Sequence, residues 1–173
     1  MNTTTLDTAT TEFVITRDFD APRDLVWKAW TEQERLAKWW GPKGYGITVV
    51  KLDFQPGGIF HYRMDTPSGD PMWGRFVYGE LTPPQRLEFV DSFADEDANI
   101  ARAPFSELYP LKISNILTLT EQDGKTTLDL RGNPLDATEE EREFFRSMHA
   151  SMQQGFGGTF EQLADYLAQA QSA

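Results

Sequence analysis

The carboxyl group most able to do chemistry in this sequence is Asp91, in the run LEFVDSF, where it shares the parity of Phe89 and Phe93. On the inward face of an apolar sheet its charged form is disfavoured by burial. Its pKa then rises, and it can act as an acid or anchor a ligand. A bulge at the strand end would instead turn it outward. Tyr62 and Tyr78 occupy alternating runs of the same kind and are the hydroxyls to consider beside it. His61 stands opposite in phase to its aromatic neighbours and is expected at the surface. Lys43 lies in GPKG, but a phosphate loop needs GxxxxGK[ST] between a strand and a helix. Here Gly41-Pro42 ends a helix and leads into a strand, so the stretch reads as a helix stop and Lys43 as a solvated charge. Arg102, Glu107 and Tyr109 sit in a long connection from which they could cap a pocket. No Ser-His-Asp or Cys-His arrangement is recognisable, so no catalytic residue is assigned.

Composition narrows the functions further. The chain has 16 basic and 27 acidic residues, a net charge of −11 that repels nucleic-acid phosphates and anionic lipid heads. There are no cysteines, which excludes disulfides and thiolate metal sites and fits a reducing, cytoplasmic setting. His61 and His149 are far apart and neither has a second histidine at ligand spacing, so no metal and no cofactor is expected. No apolar run is long enough to insert across a membrane. Residues 1–11, MNTTTLDTATT, lack the basic start and apolar stretch of a secretory signal and read as a flexible tail.

The elements that must position these residues follow from periodicity. Alternation predicts strands over 12–19, 47–54, 59–64, 72–81, 86–93, 113–120 and 126–131, separated by turns such as Pro56-Gly57-Gly58 and Asp123-Gly124. After the first strand, DAPRDLVWKAW has helical spacing with Pro22 in its first turn. Thr31 and Glu34 resemble a capping box for a second short helix over 32–39. Residues 94–112 have no clean period. From Thr138, the T-E-E-E start and the stripe Phe145, Met148, Met152, Phe156, Phe160, Leu163, Leu167 predict one long helix able to cover a sheet face. Gly155, Gly157 and Gly158 interrupt it and suggest a bend or a close approach to the sheet. The expected architecture is α+β: a curved antiparallel sheet of six or seven strands, two short helices after the first strand, and a long C-terminal helix over a cavity. It forms a single domain over 12–171.

The same patterns give the candidate pocket walls. Phe60, Tyr62, Met64, Phe76, Tyr78, Phe89, Asp91 and Phe93 come from the sheet, and Met148, Met152 and Phe156 come from the helix. Each apolar member could equally be plain core. Trp39 and Trp40 are neighbours on a helix and point about 100° apart, so one packs inward and the other lies at a pocket mouth or the surface.

The stretch from Phe13 to Gly46 resembles the opening of the activator-of-heat-shock-protein-90-ATPase homologue domain, in the SRPBCC (START-like) superfamily. The residues that carry the resemblance are Asp20-Ala21-Pro22, Val26-Trp27, Ala29-Trp30-Thr31 and Trp39-Trp40-Gly41-Pro42. Asp53 to Gly58, Pro83 to Phe93 and the EQLADYL segment near the C-terminus fit it as well, with Phe156 where many relatives carry tryptophan. The resemblance implies a helix-grip fold and a hydrophobic small molecule as partner. Superfamily relatives bind lipids, sterols, plant hormones or polyketides, and some cyclise or dehydrate polyketides; the eukaryotic namesakes stimulate a chaperone ATPase. The expected function is therefore binding of a lipid-like or aromatic compound rather than catalysis. A polyketide cyclase or dehydratase and a chaperone-activating interaction module are the alternatives, and a homodimer is left open.

Overall fold

A computed structural model describes residues 11–41 and 44–172. Its elements are β1 (Phe13–Phe19), α1 (Arg23–Thr31), α2 (Gln33–Trp39), β2 (Gly46–Leu52), β3 (Ile59–Asp65), β4 (Pro71–Thr82), β5 (Arg86–Ala94), β6 (Ile113–Gln122), β7 (Lys125–Pro134), α3 (Glu139–Ser147) and α4 (His149–Ser172). The seven strands form one open sheet in the order β1-β7-β6-β5-β4-β3-β2, with every neighbouring pair antiparallel. From β2 to β7 the chain is a meander, as short turns require. The turn between β6 and β7 places Asp123 and Gly124 at φ 54° and 78°, the double positive φ that an Asp-Gly hairpin supplies. The strand β1 closes the far edge on β7, and α1 and α2 carry the chain across to the opposite edge at β2. This α+β arrangement, with a long helix over the sheet, is that of a helix-grip fold.

The core lies between the sheet and the helices. Phe19, Trp30, Trp39, Phe160, Leu163 and Leu167 are all but inaccessible. Trp30 stands edge-on to Trp39 at 4.9 Å and to Phe160 at 6.2 Å, and Phe160 in turn meets Phe19. The alternation of burial along β6 (Ile113, Asn115, Leu117, Leu119 inward) matches the period of two that the sequence displays.

Local expectations fare differently. The Thr138–Glu141 capping box forms in both directions, Glu141 N–H donating to Thr138 Oγ1 and Thr138 N–H to Glu141 Oε1. The capping box expected at Thr31 and Glu34 does not form. The N-cap of α2 is Glu32, and the Thr31 hydroxyl donates back to the Trp27 carbonyl at 2.9 Å, because Thr31 still belongs to α1. Pro22 is the extended N-cap of α1 rather than a first-turn residue. The C-terminal helix is two segments, broken at Met148. The Met148 N–H is shared between the carbonyls of Phe144 and Phe145 at 3.1 Å each, and ψ of −5° tightens the turn. α4 runs through all three glycines, and Gly155 and Gly157 make no close approach to the sheet: nothing lies within 4 Å of a Cβ built at either.

Candidate ligand-binding site

The helix α4 leaves the sheet uncovered towards its N-terminal end, and a cavity of about 320 Å³ opens there. Its walls come from β5, which gives Phe93, and from four other places. The end of α2 gives Trp40 and Gly41; β3 gives Tyr62 and Met64; the 95–112 connection gives Phe105 and Tyr109; and the helical segments give Met148, Met152, Phe156 and Thr159. A recess of about 150 Å³ adjoins it, sharing Trp40, Tyr62, Met64, Phe93, Tyr109 and Phe156 and adding Trp73, Gly74, Asp91 and Ser92. The recess depends on Gly74, which faces Tyr62 across β3 and β4. A Cβ there would come within 2.4 Å of the Tyr62 ring, so any larger residue would displace the phenol.

Of the residues the sequence singled out, Trp40, Tyr62, Met64, Phe93, Met148, Met152 and Phe156 stand on the cavity wall, and Asp91 stands in the recess. Trp39, Phe60, Phe76, Tyr78 and Phe89 line neither space. They are packed into the core, with Phe76 stacked on Phe89 at 4.2 Å and edge-on to Phe60 at 5.1 Å. Both members of the Trp39-Trp40 pair are buried: Trp39 packs inward and donates its N–H to the Ala29 carbonyl at 2.9 Å, while Trp40 faces the cavity, the pocket side of the two places expected for it. Their rings meet edge-on at 5.6 Å, because Trp40 has already left the helix as its extended C-cap and the chain passes under α4 there. Phe105 and Thr159, on the cavity wall, carry no signal of that placement in the sequence.

Gly41 adopts φ 102° just past the helix end, a conformation that favours glycine. Its carbonyl accepts from Thr159 Oγ1 at 3.0 Å and from Gln162 Nε2 at 2.8 Å, which ties the α2 end to α4 at the cavity edge. Lys43, expected as a solvated charge, lies outside the described residues.

The electrostatics of the recess are set by burial. Asp91 lies beside Phe76 on one strand and Ile113 on the other. Burial pushes its carboxyl up to about 7, and the hydrogen bond that Asn115 Nδ2 donates at 3.2 Å only partly opposes this. The Tyr62 hydroxyl is raised well above its ordinary value by burial and then by the nearby Asp91 charge. The Trp40 N–H is near enough to oppose that rise slightly, yet it makes no hydrogen bond of good geometry. Tyr109 is raised in the same way, by burial, Asp91 and Tyr62. Tyr78 is raised by burial but stands outside the cavity.

The wall formed by the connection is held by one cation. Arg102 Nη1 donates to Glu141 Oε2 at 2.7 Å, to the Glu107 carbonyl at 2.8 Å and to the Tyr109 carbonyl at 3.3 Å. Glu141 in turn caps α3, and its carboxyl is held below its ordinary value chiefly by Arg102. Tyr109 is thereby fixed against Phe93, at 5.6 Å between rings. Arg102 thus acts through backbone it braces, not through the cavity.

His61 is buried, not exposed. Its ring stacks on Trp73 at 5.4 Å, and its Nε2 lies 3.0 Å from the Asp95 carbonyl. The parity reading placed it on the correct face. The tight turn at 95–99, which Asp95 nucleates by accepting from the N–H groups of Asp97 and Asn99, then covers that face. His149 packs between Phe13 and Phe145, away from the cavity lining. Among the described residues no group of acidic or histidine side chains could hold a metal, and no helix is long and apolar enough to cross a membrane.

Comparisons with known proteins bear on this geometry. The family described as activator of Hsp90 ATPase homolog 1-like protein matches residues 20–168. Among solved structures, the chain is similar to protein Ms6760 from Mycobacterium smegmatis, at 30% identity over 92% of this chain and 91% of that one, with a TM-score of 0.75. It is similar to a protein from Arthrobacter aurescens at 27% identity, covering 93% and 88% of the two chains, with a TM-score of 0.76. It shares its fold with DynU16, from the dynemicin biosynthetic locus, at 22% identity and a TM-score of 0.63, over 91% of this chain and 47% of that one. No curated protein matches it. The fold, the Trp39-Trp40-Gly41 junction beneath α4 and a match spanning most of the sequence agree: the chain belongs to the activator of Hsp90 ATPase homolog 1-like family.

Proposed function

We propose that this protein binds a small hydrophobic molecule, lipid-like or aromatic, in the space between the sheet and α4. The observation that carries this reading is the cavity of about 320 Å³, walled by Trp40, Met64, Phe93, Met152 and Phe156 and free of charged side chains among the described residues. Its volume falls in the range of small-molecule sites. A ligand burying about 200 Å² of apolar surface there would gain on the order of 5 kcal/mol before ordering costs. Methionine side chains on the wall adapt to irregular shapes. Native mass spectrometry of protein purified gently from its source cells tests the reading. A retained small molecule supports it; bare protein, together with no uptake of apolar compounds from cell extract, overturns it.

A second reading is an acid–base enzyme of the polyketide cyclase or dehydratase kind, and Asp91 is what favours it. A carboxyl titrating at about 7 suits proton transfer near neutral pH. The hydroxyls beside it are Tyr62 and Tyr109; Tyr78 stands outside the cavity and drops from this reading. Turnover of an aromatic polyketide mimic that is lost in Asp91→Asn would favour it over binding alone.

A further inference from the structure

Asp91 is the one charged side chain among the described residues that line the cavity and its recess. Its carboxylate accepts a hydrogen bond from a neutral donor, the Asn115 amide, and no lysine or arginine lines the space with it. The rest of the recess is largely aromatic, with Trp40, Tyr62, Phe93, Tyr109 and Phe156 around it. A carboxylate without a cationic partner, set among aromatic rings, complements a cation. We infer that the ligand is a hydrophobic amine, its protonated nitrogen held in the recess by Asp91 and the aromatic rings, its apolar body filling the larger cavity. This rests on the ligand-binding reading above and adds the chemical class.

Desolvation of the carboxylate, the usual obstacle to a buried ion pair, is already met in the folded protein, so the arriving ammonium gains the pairing without that part of the cost. The titratable groups facing Asp91 are Tyr62 from β3 and Tyr109 from the 95–112 connection. Both stay neutral through the ordinary pH range. β4 contributes Gly74, β6 contributes Asn115 and α4 contributes Phe156, none of them charged. Amine binding should therefore strengthen as pH rises and Asp91 ionises, then fall once the amine loses its own proton. A ligand that instead accepts a hydrogen bond from neutral Asp91 has the opposite dependence.

Calorimetric titration of the full chain with 1-naphthylmethylamine and 1-naphthalenemethanol at pH 5 and pH 8 separates these cases. The amine should bind at least about tenfold tighter than the alcohol at pH 8, a preference that shrinks at pH 5. In Asp91→Asn the preference should vanish while the alcohol still binds, which also reports that the variant is folded; should that variant not fold, the wild-type pH comparison decides alone. Equal binding of the two probes at pH 8, or an alcohol that binds better at both pH values, overturns the amine assignment and leaves apolar binding intact. Binding of neither probe overturns both.

Discussion

The two ends of the contact between α4 and the sheet are built from the same kinds of residue and reach opposite outcomes. Towards the C-terminal end, Phe160, Leu163 and Leu167 are sealed against Phe19, Trp30 and Trp39. Towards the N-terminal end, Met148, Met152 and Phe156 continue the same helical stripe, yet they remain half-buried and border a cavity. The difference comes from what stands opposite. At the closed end α1 and α2 pack against α4, and the indoles of Trp30 and Trp39 join Phe160 and Phe19 in one sealed layer. At the open end the second layer is limited to the end of α2 and the 95–112 connection, and Gly155 on the helix contributes no side chain to fill the gap. A continuous apolar stripe therefore guarantees burial only where a second layer meets it.

Substitutions at the two ends should expose this contrast. Phe160→Ala removes a fully buried ring from the closed end and should cost about 3–5 kcal/mol, lowering Tm by roughly 10 °C in a thermal melt. Asp91→Asn should act in the other direction and depend on pH. The folded carboxyl keeps its proton up to about 7, against an ordinary value of 3.8, so the folded state holds more protons between the two. Stability is therefore lost as pH rises through that window, and the penalty is complete above it. Urea unfolding should find Asp91→Asn more stable than wild type by roughly 2–4 kcal/mol at pH 8, and no different below pH 4. Phe156→Ala, at the open end, should cost only about 1–2 kcal/mol despite deleting the same ring as Phe160→Ala, since Phe156 already borders empty space. Gly155→Ala should stabilise the protein by about 1 kcal/mol, because the helix gains a better former and the added methyl meets nothing.

Much of the fold is legible in local sequence. The alternation along β6, the Asp123-Gly124 hairpin and the Thr138–Glu141 cap are each set by residues within a few positions of one another, and each forms as the pattern implies. The site is less so. Strand parity placed Tyr62, Asp91 and Phe93 on the inward face, but it could not tell them from Phe60, Phe76 and Phe89, which share that face and pack into the core. That distinction depends on where α4 crosses the sheet and where α1 and α2 sit, both long-range facts. His61 was misplaced for the same kind of reason: its face is covered by a turn more than thirty residues away in sequence. Phe105 and Tyr109 come from an aperiodic stretch whose shape is fixed by Arg102 reaching Glu141, across 39 positions. The break at Met148 leaves no mark in a stripe whose spacing continues through it.

The account turns on the open end being a binding cavity rather than an imperfectly filled core. The direct measurement is titration of a neutral fluorescent apolar probe, such as N-phenyl-1-naphthylamine, against wild type and Met152→Trp, with a thermal melt of each to establish folding. Met152 lies on the cavity wall and is half-buried, so an indole there occupies the space a ligand would take. Saturable binding to wild type that weakens at least about tenfold in a folded Met152→Trp is the predicted result. Equal binding to both proteins, or none to wild type, would contradict it.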